Sequence, residues 1–407
     1  MVREDRLGQI VEDINPPAVL AELPERSRLL HIGLMKTGTT AVQRAANARR
    51  PMLLRYGVRY PGTLYNHRQS ALALMNRGPR SVRGERASDA WDELLDEIGQ
   101  EAVRKIWISN EFICGCDDQT AARFLTDLGA RTHVIVTLRS VAATLPSLWQ
   151  QYVKTGTTDD FEEWLDIVLN HPPGHPRWPA HFSRNDQGAV VSRWARLAGP
   201  ENVTVVIGDK ADPRRIPSTF ETLLALPPQT LDPPRGRGFD TNRSFSAEEV
   251  SLFLKINQAL PCGKMTEDEL SRILRGGSMA RVLNERPPPS SDTALALPAW
   301  AARRAGELGG RYAEVIAGTG VRVVGDLTEL SLTATPAGRY TMPDLIPVDL
   351  AAQAVIGAMS GQLHRGSDFR RPLPEHVRPP RLMRTIARRL RLPVRRLQTM
   401  VSRSAKF

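Results

Sequence analysis

Apolar and polar positions along this chain follow two alternating rhythms. Short, mostly apolar runs recur at residues 29–34 (LLHIGL), 105–109 (KIWIS), 132–138 (THVIVTL), 203–207 (VTVVI) and 321–325 (VRVVG). Runs of this length, rich in Val and Ile, suit strands buried on both faces. Between them the period lengthens to that of a helix, over residues 40–50, 87–101, 119–128, 141–153, 187–197 and 247–259. In the last of these Val250, Phe253, Leu254 and Ile256 share a face, and Ser246 with Glu249 three residues on reads as a capping box. Strands alternating with helices predict an α/β fold with a central parallel sheet flanked by helices.

Pro-rich stretches at 226–242 and 284–298 break the pattern and are expected on the surface. The expected organisation is an N-terminal arm over residues 1–27, one core domain over 28–356, and a Pro/Arg-rich basic extension over 357–407. A chain of 407 residues is long enough for that core and its extensions.

The first strand pattern runs straight into Gly33-Leu34-Met35-Lys36-Thr37-Gly38-Thr39-Thr40 and then into a helical pattern. Backbone N–H groups at residues 38–40 would converge on one point, and the helix dipole adds partial positive charge there, so an anion is expected. The lysine is out of place for a Walker A loop, in which it follows the second glycine; here Lys36 precedes Gly38.

Hydrophobic content of 41% and charged content of 24% are ordinary for a globular protein, and no apolar run approaches the roughly 20 residues of a membrane span. The N-terminus has no apolar segment of the signal-peptide type, so a cytoplasmic location is expected. Cys114, Cys116 and Cys262 are too few for a disulfide framework or a zinc set and are expected as buried thiols. The usage of Arg, Ala and Pro points to a bacterium with a GC-rich genome.

Of the net charge of +11, much sits near the C-terminus, where Arg384, Arg388, Arg389, Arg391, Arg395 and Arg396 have no nearby acid. The core is then only mildly basic, and no nucleic-acid partner is expected. Leu382, Ile386 and Leu390 lie four apart with Met383 beside them, so residues 381–401 read as an amphipathic basic helix broken at Pro393. Such a helix is expected to make peripheral contact with an anionic membrane, at the inner membrane surface of a bacterial cell.

The strand, Met-Lys-Thr-Gly-Thr-Thr turn and helix resemble the 5′-phosphosulfate-binding loop of sulfotransferases that use 3′-phosphoadenosine-5′-phosphosulfate (PAPS). The Gly-Thr-Thr-Ala continuation is closer to the carbohydrate, heparan-type members. The resemblance implies a P-loop-like, nucleotide-kinase-like fold, with Lys36, Thr37, Gly38, Thr39 and Thr40 around the phosphosulfate. It also implies a second element for the ribose 3′-phosphate, an Arg at a strand end and a Ser eight residues on. Arg139 and Ser147 have that spacing, although Val141 stands where the family often has Pro.

A late basic loop that closes over the 3′-phosphate would be residues 235–243, through Arg237 or Arg243. Downstream, residues 192–210, 218–227 and 241–260 also resemble bacterial sulfotransferases.

In that family Lys36 would stabilise negative charge on the oxygen bridging sulfur and the departing phosphate, and no metal is demanded. The general base would be Glu111, in the topological slot after KIWIS, or His67. The implied reaction is in-line transfer of the sulfuryl group to a hydroxyl or amine, with a carbohydrate or glycolipid as the acceptor. Two rivals remain at this point, a P-loop kinase-like protein and a non-catalytic homologue that binds PAP. A kinase calls for a Walker lysine and an acidic Mg²⁺ ligand, and neither is evident.

Overall fold

The computed structural model describes residues 20–76, 89–99, 104–173, 175–179, 182–232, 243–260, 266–290, 292–333, 342–343 and 345–363. Six strands, β1 (Arg28–His31), β2 (Val58–Arg59), β3 (Lys105–Ser109), β4 (Thr132–Leu138), β5 (Val203–Ile207) and β6 (Arg322–Val324), form one sheet in the order β2-β3-β1-β4-β5-β6. Every pairing is parallel, so each connection crosses over through helix. The first half supplies helices α1 (Thr39–Ala48), α2 (Arg50–Arg55), α3 (Arg68–Leu74), α4 (Ala90–Gly99), α5 (Asp118–Leu128), α6 (Val141–Lys154) and α7 (Phe161–Asn170). The second half adds α8 (Gln187–Ala198), α9 (Arg215–Leu224), α10 (Ala247–Ala259), α11 (Glu267–Leu270), α12 (Ala280–Glu285), α13 (Ala299–Ala317) and α14 (Val348–Leu363).

The predicted parallel α/β sheet is what the chain builds, and β3, β4 and β5 coincide with their predicted runs. Alternate strand residues separate into two cores. Leu30, Ile106, Ile108, Val134, Val136, Val205 and Ile207 pack on one face with Trp91, Phe124 and Trp194 from α4, α5 and α8. Leu29, Trp107, Ile135 and Val206 pack on the other with Val42, Leu53, Phe220 and Leu223 from α1, α2 and α9. Burial on both faces is why the strands lack strict apolar–polar alternation. Polar yet wholly buried are His31, Ser109 and Thr137, near the C-terminal ends of β1, β3 and β4, and Thr204 in β5.

A third core is mainly helical and gathers Leu148, Trp149, Trp164, Phe253, Val282, Ala301 and Leu350. The π-helical segment Ser271–Met279 belongs to it, packed against α14 so closely that a Cβ on Gly277 would lie 2.5 Å from the Gly357 carbonyl oxygen. α14 runs without interruption through the expected core boundary at Ile356 to Leu363. Among the described residues no helix is long and apolar enough to cross a membrane.

Connectivity fixes where a ligand can sit. From β1 the chain moves toward β2 at one edge, and from β4 it moves through α6, α7 and α8 toward β5 on the other side. Connections that depart in opposite directions from adjacent strands open a crevice at the strands' carboxyl ends, the topological switch point of an open α/β sheet. Here that crevice lies between the loop after β1 and the turn after β4.

Candidate functional site

The loop after β1 continues the ladder briefly, with Ile32 N donating to Ile135 O (3.0 Å) and Leu34 N to Thr137 O (3.2 Å). It then turns through two left-handed residues, Lys36 (φ 65°) and Gly38 (φ 96°). For lysine this conformation is unusual and strained. Gly38 is the N-cap of α1, so no side chain caps the helix, and no acidic residue lies in its first turn. The amides at that end keep their donors, and the dipole's positive end stays open to an anion.

The loop is held from below and beside. Thr37 is buried, its hydroxyl 2.7 Å from Leu34 O and 2.9 Å from Thr137 Oγ1. A Cβ on Gly33 would lie 1.9 Å from Thr137 Oγ1, which is why that position holds glycine. Gly208, just past β5, comes close enough that a Cβ would touch Thr37 O at 3.4 Å. Thr39 is buried and Thr40 half-buried at the start of α1.

Lys36 is half-buried, and desolvation holds its ammonium below the usual lysine range, partly countered by the Glu111 carboxylate. Within its electrostatic reach is a residue that carries no sequence signal, Lys154 in the last turn of α6. Its Nζ sits 4.6 Å from the centre of the Phe245 ring. Burial, with the Lys36 and Arg243 charges, pushes it down to about 8. Among the described residues neither ammonium has a carboxylate at ion-pair distance. Two desolvated cations within electrostatic reach of each other, one of them in the turn before an uncapped helix, are suited to a strong anion.

Arg139 leaves the end of β4 half-buried, its guanidinium near Asp209 and its carbonyl accepting from Gln187 Nε2 at 2.8 Å. Ser140 then caps α6, accepting from Ala143 N and donating to Leu332 O at 2.7 Å, so a helix begins at Val141 without the proline. Ser147 is half-buried on α6, about 9 Å along the helix axis from its start at Val141 by rise per residue. Beside the loop a small cavity of about 20 Å³ is lined in part by Leu34, Met35, Thr37, Leu148, Gln187 and Tyr312.

Glu111 opens the 3₁₀ turn Glu111–Gly115 directly after β3. It is half-buried and accepts from Gln43 Nε2 at 3.3 Å. His67 is fully buried, its Nδ1 accepting from Ser109 N (3.0 Å) and its Nε2 donating to Pro61 O (3.1 Å). Burial pushes its imidazole down to about 4, so it is neutral, with both nitrogens committed to the backbone.

Arg243 donates to Glu249 Oε2 and Oε1 (2.6 and 2.9 Å) and to the carbonyls of Val282 and Arg286 (3.1 and 2.8 Å). Arg237 lies outside the described residues, as do Cys262 and the segment 381–401. Cys114 and Cys116 are buried thiols.

No protein-family model matches the sequence, and no curated protein matches it. Among solved structures the chain is similar to a sulfotransferase from Alicyclobacillus acidocaldarius, at 18% identity and a TM-score of 0.36, over 57% of this chain and 92% of that one. That likeness is slight and carries no argument. The chemistry is read from the loop, the paired lysines and Arg139.

Proposed function

We propose that the protein is a PAPS-dependent sulfotransferase that moves the sulfuryl group to a hydroxyl or amine of a carbohydrate or glycolipid and releases PAP. The observation that carries this reading is the pairing at the switch point. An uncapped helix and the Lys36 ammonium follow one central strand, and a half-buried arginine, then Lys154 on α6, follow its neighbour. PAPS is anionic at two separated places, the 5′-phosphosulfate and the 3′-phosphate. The residues fit it: residues 38–40 with Lys36 would hold the first group, and Arg139 with Ser147 the second.

In the reaction the acceptor oxygen forms a bond to sulfur in line with the sulfur–oxygen bond that breaks. The electron pair of the broken bond passes to the bridging phosphate oxygen, and PAP departs. Lys36 stabilises that oxygen as charge builds on it, which lowers the barrier more than it tightens binding. Glu111 takes the hydroxyl proton. Lys154 adds a second positive charge on the α6 side of the anion. The C-terminal extension, outside the described residues past Leu363, holds the protein reversibly at an anionic membrane surface, where a glycolipid acceptor would be met.

The kinase-like alternative is disfavoured by the position of Lys36 before Gly38. Competitive titration of PAP against ATP·Mg²⁺, followed by incubation of labelled PAPS with lipid and glycan extracts, tests the proposal. Preference for PAP and transfer of label support it; preference for ATP overturns it. PAP binding with no labelled product in any fraction favours the non-catalytic homologue.

A further inference from the structure

Beneath the phosphate loop runs a buried chain of polar side chains that connects three strands and a helix. Gln43 Nε2 is 3.3 Å from Glu111 Oε2 and 3.0 Å from Ser109 Oγ. Ser109 Oγ is 2.8 Å from His31 Nδ1, His31 Nε2 is 3.2 Å from Thr137 Oγ1, and Thr137 Oγ1 is 2.9 Å from Thr37 Oγ1. The chain ends at the Leu34 carbonyl, 2.7 Å from Thr37 Oγ1. Gln43, Ser109, His31 and Thr137 are completely buried.

The direction of every bond follows from the two ends. A carbonyl only accepts, so the Thr37 hydroxyl spends its proton on Leu34 O and must accept from Thr137. Thr137 then has no proton left for the ring and must accept from His31 Nε2–H. Burial holds His31 neutral, down to about 3, so its Nδ1 carries a lone pair and accepts from the Ser109 hydroxyl. Ser109 in turn accepts from Gln43, whose other N–H meets the Glu111 carboxylate. Turning the Gln43 amide over would set its oxygen against that carboxylate.

We propose that Gln43, Ser109, His31 and Thr137 form a one-way hydrogen-bond chain that couples Glu111 to the phosphate loop, with Gln43 and His31 as positioning residues for the transfer step. The assignment rests on the proposed sulfotransferase reading, in which Glu111 and the loop flank the reacting sulfur. A second observation supports it. Gln43 Oε1 is buried without a hydrogen-bond partner among the described residues, so the amide is oriented by what its nitrogen must reach, at the expense of its own oxygen. A base held through such a chain keeps its distance from the loop that fixes the donor, and small misplacements at this point are costly to rate.

The test has two parts. In the wild-type protein, ¹⁵N NMR of histidine-labelled material should show His31 as the neutral Nε2–H tautomer from pH 5 to 8; an Nδ1–H tautomer, or protonation in that range, overturns the chain. In kinetics, Gln43→Met should lower kcat by about 30-fold and change the PAP dissociation constant by less than about 3-fold. In a Glu111→Gln background the same change should have almost no further effect, because Gln43 acts through Glu111. Equal losses in both backgrounds overturn the positioning role. Ser109→Ala, which removes only a hydroxyl, repeats the measurement if Gln43→Met does not fold. A wild-type protein that neither binds PAP nor transfers sulfuryl refutes the underlying reading instead, while the tautomer remains separately readable.

Discussion

At Lys36 the backbone and the side chain have opposed interests. A lysine at φ 65° costs about 1 kcal/mol or more relative to glycine, so Lys36→Gly should raise folding stability by about 1 kcal/mol while removing the leaving-group charge. Turnover should fall by about 100-fold or more and PAP affinity by much less, since the charge is needed most as the bridging bond breaks. Chemical denaturation with parallel kinetics and PAP titration measures all three, and equal losses of turnover and affinity would remove the leaving-group role.

Lys154 is tested through proton linkage. In the free protein its pKa is pushed down to about 8, so at pH 8.5 it is largely neutral. A bound anion favours the charged form and raises that pKa, so PAP binding at pH 8.5 should take up protons. Calorimetry in buffers of different ionisation enthalpy reads the uptake directly, and Lys154→Met should remove a large part of it. Uptake undiminished in Lys154→Met would mean that the residue does not face the nucleotide.

At the scale of elements, the turn after β4 and the start of α10 do different work with the same residue type. Arg139→Ala should weaken PAP strongly and leave adenosine 5′-phosphosulfate, which lacks the 3′-phosphate, nearly unaffected. A matched loss for both ligands would make Arg139 structural. Arg243 instead shares the fully buried Glu249 carboxylate with Arg286, which also binds Asp292 and Asp349 at 2.7 Å each, so α10, α14 and the segment after α12 meet at one ionic knot. Glu249→Ala leaves two guanidinium groups without their common partner and should cost about 3–5 kcal/mol by urea denaturation.

The capping box at Ser246 and Glu249 was legible in the sequence because it is local, and so were β3, β4 and β5, whose mostly apolar runs have the length of a strand. β2 has only two residues, too few to carry a pattern. The loop after β1 was marked by its strand–turn–helix pattern, and Arg139 by the resemblance to sulfotransferases. Lys154, Gln43 and His31 could not, because what marks them is proximity across the fold: residues 31, 109 and 137 become neighbours only when β1 lies between β3 and β4.

At the scale of the whole molecule, the site lies at the carboxyl ends of the strands, whereas the chain's charge and its exposed apolar surface lie toward its C-terminal end. On α14 Val348, Val355, Ile356 and Met359 are 85%, 59%, 42% and 61% exposed. Their spacing puts them on one side of the helix, and Leu345, also 85% exposed, precedes them. Immediately beyond comes the Arg-rich sequence, in which each basic residue near an anionic bilayer is worth about 1 kcal/mol. An apolar face followed by basic charge is the combination that binds an anionic lipid surface by two forces with different salt dependence. The full chain should therefore sediment with phosphatidylserine-containing vesicles. Salt should remove most of that binding, and a chain ending at Leu363 should lose the salt-sensitive part. Val355→Glu with Met359→Glu should reduce the salt-resistant remainder. PAP affinity should be the same in all three proteins, because none of these changes touches the crevice between β1 and β4. Equal sedimentation of the full and shortened chains at low salt would rule out the electrostatic part, and with it the role of the extension in bringing the site to a lipid-linked acceptor.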